Sequence, residues 1–441
     1  MSIEYIRDPD ASSGTPPLGA RAGDFVFFSG GIAADPMHGV PAQIQPVPTY
    51  PHHGSSIDRQ LRYVFSKMGD VLVQGGSDLK QIMKISTYQT IAGEFDHALR
   101  MRREFFDVQE PPASTLLMVP EIAAPGLSVT NEVMALRADA SLERWVLHAP
   151  QDDSPLPIHD TIYERPIFTQ AAVGGGLIFT SGLTAANLIL KGFHERPEIA
   201  PPLNRNPDFP YRLYEIKFQT RLALTYLKSV LARMDASMAD VVKAEIHMTN
   251  SADIAGMEEA WKEFFPTNPP ARSIYITDLA PTGQLIEIEL IARDPKGPYV
   301  NQTIIAPDVP RFLGGEPHAI RVGPYVFLSG LLATDHKTGV APAARVDPNF
   351  PNHASSPKRQ AAYALETIDA ICRAAGSSSD QIVRRRTMHS DLMEFGPAED
   401  AWLEALGSKL PPTTVFQSSG PLAVPGCTVG YDIIAYAPDH A

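Results

Sequence analysis

Hydrophobic and polar positions change their period in the same order three times along this chain. Short strand-like runs come first. In the middle third they span 166–172 and 177–180, joined across Gly174, Gly175 and Gly176, which predicts a hairpin turn. Proline-rich loops follow at 40–51, 200–210 and 340–351. A helical period then takes over. Leu222, Tyr226 and Val230 stand four apart on one face of a helix over 218–231, with equivalents over 61–72 and 361–372. Strands are expected next at 82–88, 241–248 and 382–388. A second helix carries Phe105 and Phe106 in one stretch and Phe264 and Phe265 in the next. The pairs Pro111 and Pro112, Pro269 and Pro270, and Pro411 and Pro412 break the chain after it. Closing strands follow, as at 273–276 and 285–292. The order ββαβαββ predicts an α+β fold rather than a doubly wound sheet.

The repeat also has verbal markers. An apolar run ends in Ser29-Gly30, Ser181-Gly182 and Ser329-Gly330, and Gln60, Gln219 and Gln360 precede the first helices. These markers recur roughly every 150 residues, the size of a small domain rather than of a solenoid unit. Three tandem domains are therefore expected at 1–145, 146–297 and 298–441, with linkers over 148–160 and 294–310. Helices cover one face of each sheet. Packing the three remaining faces around an intramolecular pseudo-threefold axis would remove them all from water.

Composition narrows the class. Hydrophobic residues make up 44% and charged residues 20%, ordinary for a globular chain. The net charge of −13, without a long basic run, argues against nucleic-acid or anionic-membrane partners. The first residues lack an apolar signal core, and no stretch approaches a membrane span. Cys372 and Cys427 form neither a disulfide framework nor a metal site, so a reduced cytoplasmic setting is expected. No glycine-rich phosphate loop opens a helix, and neither a cofactor nor a metal is expected.

The second repeat ends in Asn268, Pro269, Pro270, Ala271, Arg272 and Ser273, then Leu285, Ile286, Glu287, Ile288, Glu289, Leu290, Ile291 and Ala292. This closely resembles the closing signature of the RidA (YjgF) family, Pro-Ala-Arg-Ser followed by Glu-Ile-Glu-Ala-Ile-Ala. The opening at Phe168, Thr169, Gln170 and Ala171 is similar as well. The resemblance implies α+β domains that trimerise with clefts between them. It also implies cofactor-free hydrolysis of enamines and imines of amino acids to 2-oxo acids and ammonia, and related members deaminate 2-aminomuconate. Arg272 matches the residue that grips the substrate carboxylate, a role suited to a guanidinium fork. Its alternative is an ion pair with an acidic neighbour. Glu287 matches the water-positioning glutamate, and Ser273, Phe168, Ser181 and Gly182 match cleft positions. Phe168 replaces the usual Tyr and cannot donate a hydrogen bond.

The other repeats depart from this signature. Ser114 and Thr414 stand at the Arg272 position, and Thr130 and Gly430 at the Glu287 position. The first and third repeats instead share His53 with Arg59 and His353 with Arg359, candidates for a second kind of cleft. Ser55 or Ser56 is equally suited to capping the following helix. The expected function is a hydrolase or deaminase of a small carboxylated C–N compound, and further dimerisation of the fused unit is left open. The alternatives are a chorismatase-like hydrolase or lyase on a ring carboxylate, since those enzymes share this type of pseudo-trimeric fold, and a non-catalytic metabolite-binding protein. Family members described as ribonucleases fit the acidic balance poorly.

Overall fold

A computed structural model describes residues 2–8, 14–34, 39–45, 49–50, 54–148, 168–185, 214–280 and 283–438. The loop 200–210, His53 and most of the expected linker 148–160 lie outside them.

Three mixed sheets share one strand order. The first runs β1 (Glu4–Ile6), β2 (Gly19–Ala22), β3 (Phe25–Gly31), β6 (Val129–Leu136), β4 (Ile82–Gln89), β5 (Ala113–Met118). The second runs β7 (Trp145–Leu147), β8 (Ala171–Gly174), β9 (Leu177–Thr180), β13 (Ile286–Arg293), β11 (Val241–Met248), β12 (Ala271–Ile276), with β10 (Leu183–Thr184) beside β13. The third runs β14 (Asn301–Ile304), β15 (Ala319–Val322), β16 (Tyr325–Leu328), β20 (Val429–Tyr436), β18 (Ile382–His389), β19 (Thr413–Gln417), with β17 (Leu331–Leu332) beside β20. The last two strands on each path pair in parallel, as Ala244 opposite Arg272 shows in the second sheet.

Two helices serve each sheet: α1 (Ser56–Gln74) and α2 (Phe95–Phe105), α3 (Tyr214–Ala232) and α4 (Ile254–Phe264), α5 (Ser356–Ala374) and α6 (Phe395–Leu406). Ser55 and Ser355 cap α1 and α5 through their hydroxyls, accepting from the N–H groups of Asp58 and Lys358. Gly175 and Gly176 both have positive φ, 56° and 79°, as a two-residue hairpin turn requires.

One expectation needs correcting. The stretch 294–310 is not simply a linker, because Asn301–Ile304 pairs antiparallel with Ala319–Val322. Each sheet gains such an edge strand: Glu4–Ile6, Trp145–Leu147 and Asn301–Ile304. They are short and largely open to water, so no alternation marks them in the sequence.

Alternation does sort the longer strands into two faces. Ile286, Ile288 and Leu290 join Leu224, Leu227 and Val230 of α3 in the second sheet's helix-side core. Ile291 faces the other way, into a cluster drawn from all three sheets that includes Phe25, Phe27, Phe179, Tyr325 and Phe327. There Phe25 meets Phe179 and Tyr325 edge-on, with ring centres 5.8 Å and 5.2 Å apart.

Backbone stitches join the sheets in a ring. The Gly182 N–H donates to the Ser114 carbonyl (3.0 Å), and the Gly330 N–H to the Arg272 carbonyl (2.8 Å). The Gly30 N–H donates to Thr414 Oγ1 (2.9 Å) and returns from the third sheet to the first. Phe25→Ala is expected to lower unfolding free energy by about 3–5 kcal/mol in denaturant titration. The same truncation at exposed Met393 should change it by less than about 0.5 kcal/mol.

Candidate active site

Where the three sheets meet, charge is buried. Arg384 bonds Glu245 (3.1 Å) and Asp432 (2.9 Å), and lies 3.5 Å from Glu132. Arg386 bonds Glu245 (2.5 Å), Glu132 (3.1 Å) and the Tyr275 hydroxyl (2.8 Å). Lys243 lies 3.3 Å from Asp432 and donates to Ser273 Oγ (2.8 Å). Lys84 pairs with Glu289 and donates to Thr115 Oγ1 (2.7 Å) and the Thr180 carbonyl (2.9 Å). A void of about 20 Å³ among these groups has room for one water. Four cations thus face four carboxylates, Glu132, Glu245, Glu289 and Asp432, each pair compensating a large desolvation penalty. Burial raises the Glu289 carboxyl, but Lys84, Glu245 and His247 together outweigh it and hold the group well below the usual range. Glu245, His247 and Glu289 bring ligand atoms within 4.8 Å of one another and are the residues that could hold a cation. Both carboxylates are already engaged by Lys84, Arg384 and Arg386.

Glu287 is the carboxyl left over. It is buried and makes no ion pair with a described residue. Burial, and then the neighbouring Glu289 charge, push it up to about 8, so it is protonated at neutral pH. It lies against Gly182, where any Cβ would collide with its carboxyl. The cavity beside it, about 110 Å³, lies between the first and second sheets. Its walls include Arg102, Ser114, Phe168, Gly182 and Glu287.

Arg272 and Glu287, expected in one cleft, stand on opposite faces of the second sheet. Arg272 projects to the helix side, 5.2 Å over the Trp261 ring. Its Nη2 bonds Glu258 of α4 (2.5 Å) and Glu316 from the third sheet's side (3.2 Å). With Ser273 it lines a different cavity, about 180 Å³, between the second and third sheets. Gly430 lies there at the position matching Glu287, so that cavity lacks this carboxyl.

The remaining candidates divide similarly. Phe168 and Gly182 do line the Glu287 cavity. Ser181 does not: it accepts from the Ser114 N–H (2.9 Å) and donates to the Thr169 carbonyl, which makes it part of the sheet junction. Arg59 donates to the Ile44 carbonyl (3.2 Å) and lines a separate surface hollow. His353 and Arg359 are exposed, Arg359 donating to the Arg345 carbonyl (3.0 Å). His53 lies outside the described residues.

Arg102 was not among the expected residues. It is 3% exposed and sits on α2, where it donates to Ser114 Oγ and to Thr87 Oγ1 (2.9 Å). Burial lowers it to about 10, and no acidic group opposes that shift. A comparison of the second helices could have found it. The eighth residue is Arg102 in α2 but Trp261 in α4 and Trp402 in α6.

The family model described as Endoribonuclease L-PSP matches residues 209–294. Protein mmf2, mitochondrial, of Schizosaccharomyces pombe is 32% identical over 130 residues, 29% of this chain and 87% of that protein. RutC family protein PH0854 of Pyrococcus horikoshii is 37% identical over 78 residues, 18% of this chain and 62% of that protein. A 2-iminobutanoate/2-iminopropanoate deaminase of Dermatophagoides farinae is 36% identical over 76 residues, 17% of this chain and 59% of that enzyme. The chain spans about three fifths of the length of several of these curated relatives. Among solved structures, RidA from Psychrobacter sp. PAMC 21119 is 28% identical, with 31% of this chain and 98% of that one covered and a TM-score of 0.25. A chorismatase is 16% identical, with 66% and 79% covered and a TM-score of 0.41. The chain belongs to the RidA (YjgF) family, also called L-PSP.

Arg272→Ala would leave Glu258 and Glu316 without their shared cation, their side chains only 18% and 14% exposed. The expected loss is about 3 kcal/mol of stability, read as a lower denaturation midpoint at pH 7.

Proposed function

We propose that the chain is three RidA-like units fused in tandem as a pseudo-threefold trimer. In this reading it hydrolyses a small carboxylated imine or enamine without a cofactor, in the cleft between the first and second sheets. The repeated strand order and the ring of Ser-Gly stitches support the fused trimer. Family membership and the deaminase among the relatives support the reaction class. The observation that carries the choice of cleft is Glu287, a buried carboxyl protonated at neutral pH that lines the cavity.

The chemistry is a balanced proton cycle. Glu287 donates its proton to the imine nitrogen, which makes the carbon more electrophilic. Water then adds to that carbon, and its proton passes to the Glu287 carboxylate. Glu287 returns this proton to the nitrogen as the C–N bond breaks, and the hydroxyl proton restores the acid. The products are a 2-oxo acid and ammonia. Apolar Phe95, Leu99, Leu116 and Phe168 around the cleft limit its hydration and keep the carboxyl neutral. Arg272, held by two carboxylates in the other cavity, serves as a structural clamp between α4 and Glu316.

The test is ammonia release from imines generated in situ from amino acids. Glu287→Gln is expected to lower kcat/KM by about 10²–10⁴-fold. Because the active form is the protonated one, wild-type kcat/KM should hold at lower pH and fall as pH rises through about 8. Equal activity in Glu287→Gln, or a rate that climbs through that window, would refute the assignment.

A further inference from the structure

We propose that Arg102 is the anion anchor of the cleft between the first and second sheets, and that its ligand is a monocarboxylate with a short apolar side chain. The inference deepens the hydrolase reading, on which its substrate class rests.

Equivalent positions around three guanidinium groups differ from unit to unit. In the second unit, Arg272 lies over Trp261, the eighth residue of its helix, and pairs with Glu258, the fifth. In the third unit, Arg385 lies 4.3 Å over Trp402 and pairs with Glu399, again the eighth and fifth residues. In the first unit the guanidinium comes from the helix itself. Arg102 takes the tryptophan position and bonds Ser114, which stands where the second unit has Arg272. The fifth helix residue there is Leu99, so the helix carboxylate is gone.

The facing sheet makes the contrast sharper. Ser181 and Ser329 bond equivalent carbonyls, those of Thr169 and Pro317, which makes Phe168 the counterpart of Glu316. Glu316 places a carboxylate on Arg272. Phe168 offers Arg102 none. Both positions that neutralise Arg272 are therefore apolar around Arg102, and no described carboxylate lies within ion-pair distance of it. A buried cation without a counter-ion is costly, and this one lines a cavity. A ligand carboxylate entering there would do for Arg102 what Glu316 does for Arg272. The glutamate in the second–third cleft is, in effect, a tethered copy of the ligand.

The same geometry limits the ligand. Among the described residues that wall the cleft, Arg102 is the cation, while Phe95, Leu99, Leu116 and Phe168 supply apolar wall and Glu287 is an acid. A second carboxylate would find no further cation among the described residues and would face Glu287 and the Glu289 charge behind it. Dicarboxylates should bind poorly.

The experiment is calorimetric titration of the full chain with 2-oxobutanoate, a non-reacting product-like probe, together with a crystal of the wild type soaked in it. Arg102→Gln should raise Kd at least about 30-fold, the loss expected when one partner of a desolvated charge pair is removed. Phe168→Glu should weaken the probe by a similar factor while leaving the melting temperature unchanged or higher, because it supplies the tethered carboxylate. The soak should show the carboxylate on Arg102, and it decides the matter if Arg102→Gln does not fold. Undiminished affinity in a folded variant, or density at Arg272 or nowhere at tenfold Kd, overturns the proposal. Binding at Arg102 without ammonia release would leave this inference standing and sink the hydrolase reading. Ammonia release with unchanged Kd in Arg102→Gln would do the reverse.

Discussion

The structure depends on a balance of buried charge. Each sheet has helices on one face only, so its other face leaves water by packing on the remaining two. That junction is not wholly apolar. Lys84, Lys243, Arg384 and Arg386 enter it, and Glu132, Glu245, Glu289 and Asp432 meet them across sheet boundaries. An isolated charge there would be costly, whereas complete pairing makes the cluster tolerable and fixes how the sheets register. The balance has a remainder. Glu287 forms no ion pair with a described residue, and its carboxyl stays protonated at the edge of a cavity. The electrostatics that close the ring therefore also prepare an acid.

The three junctions share a backbone plan and differ in side chains. The Ser-Gly stitch holds first to second and second to third through both residues, and third to first through Gly30. On that common frame, one junction has its guanidinium saturated by two glutamates. Another leaves a guanidinium without a described carboxylate and opposes it with an uncharged acid. In this account, fusion allows that specialisation, because each junction can change alone.

Much of the fold was legible in the chain. The apolar run after Gln60, Gln219 and Gln360 reports the long helices, and the strands that follow begin where the pattern predicts. The edge strands were not legible, since three or four half-exposed residues such as Asn301, Gln302 and Thr303 carry no period. The site was legible only in part. Glu287, Phe168 and Gly182 do meet in one cavity. Their expected partner, Arg272, does not join them, because neighbouring strands of one sheet project side chains to both faces and a signature does not say which face each uses. Arg102 stayed hidden because it departs from the signature by element as well as by residue, a helix position standing in for a strand position. Lys84 and Arg384 were missed for another reason: their partners lie on other sheets, hundreds of residues away in sequence in the case of Arg384 and Glu132.

The most direct test of the charge balance is the ionisation of Glu287 itself, followed by carbon-13 NMR of glutamate side-chain carboxyls during a pH titration, with Glu287→Gln to assign the signal. One carboxyl should titrate near about 8 and vanish in the variant. A Glu287 signal that titrates in the ordinary range near ~4.3 would contradict it, and with it the claim that the junction's cations are fully spoken for.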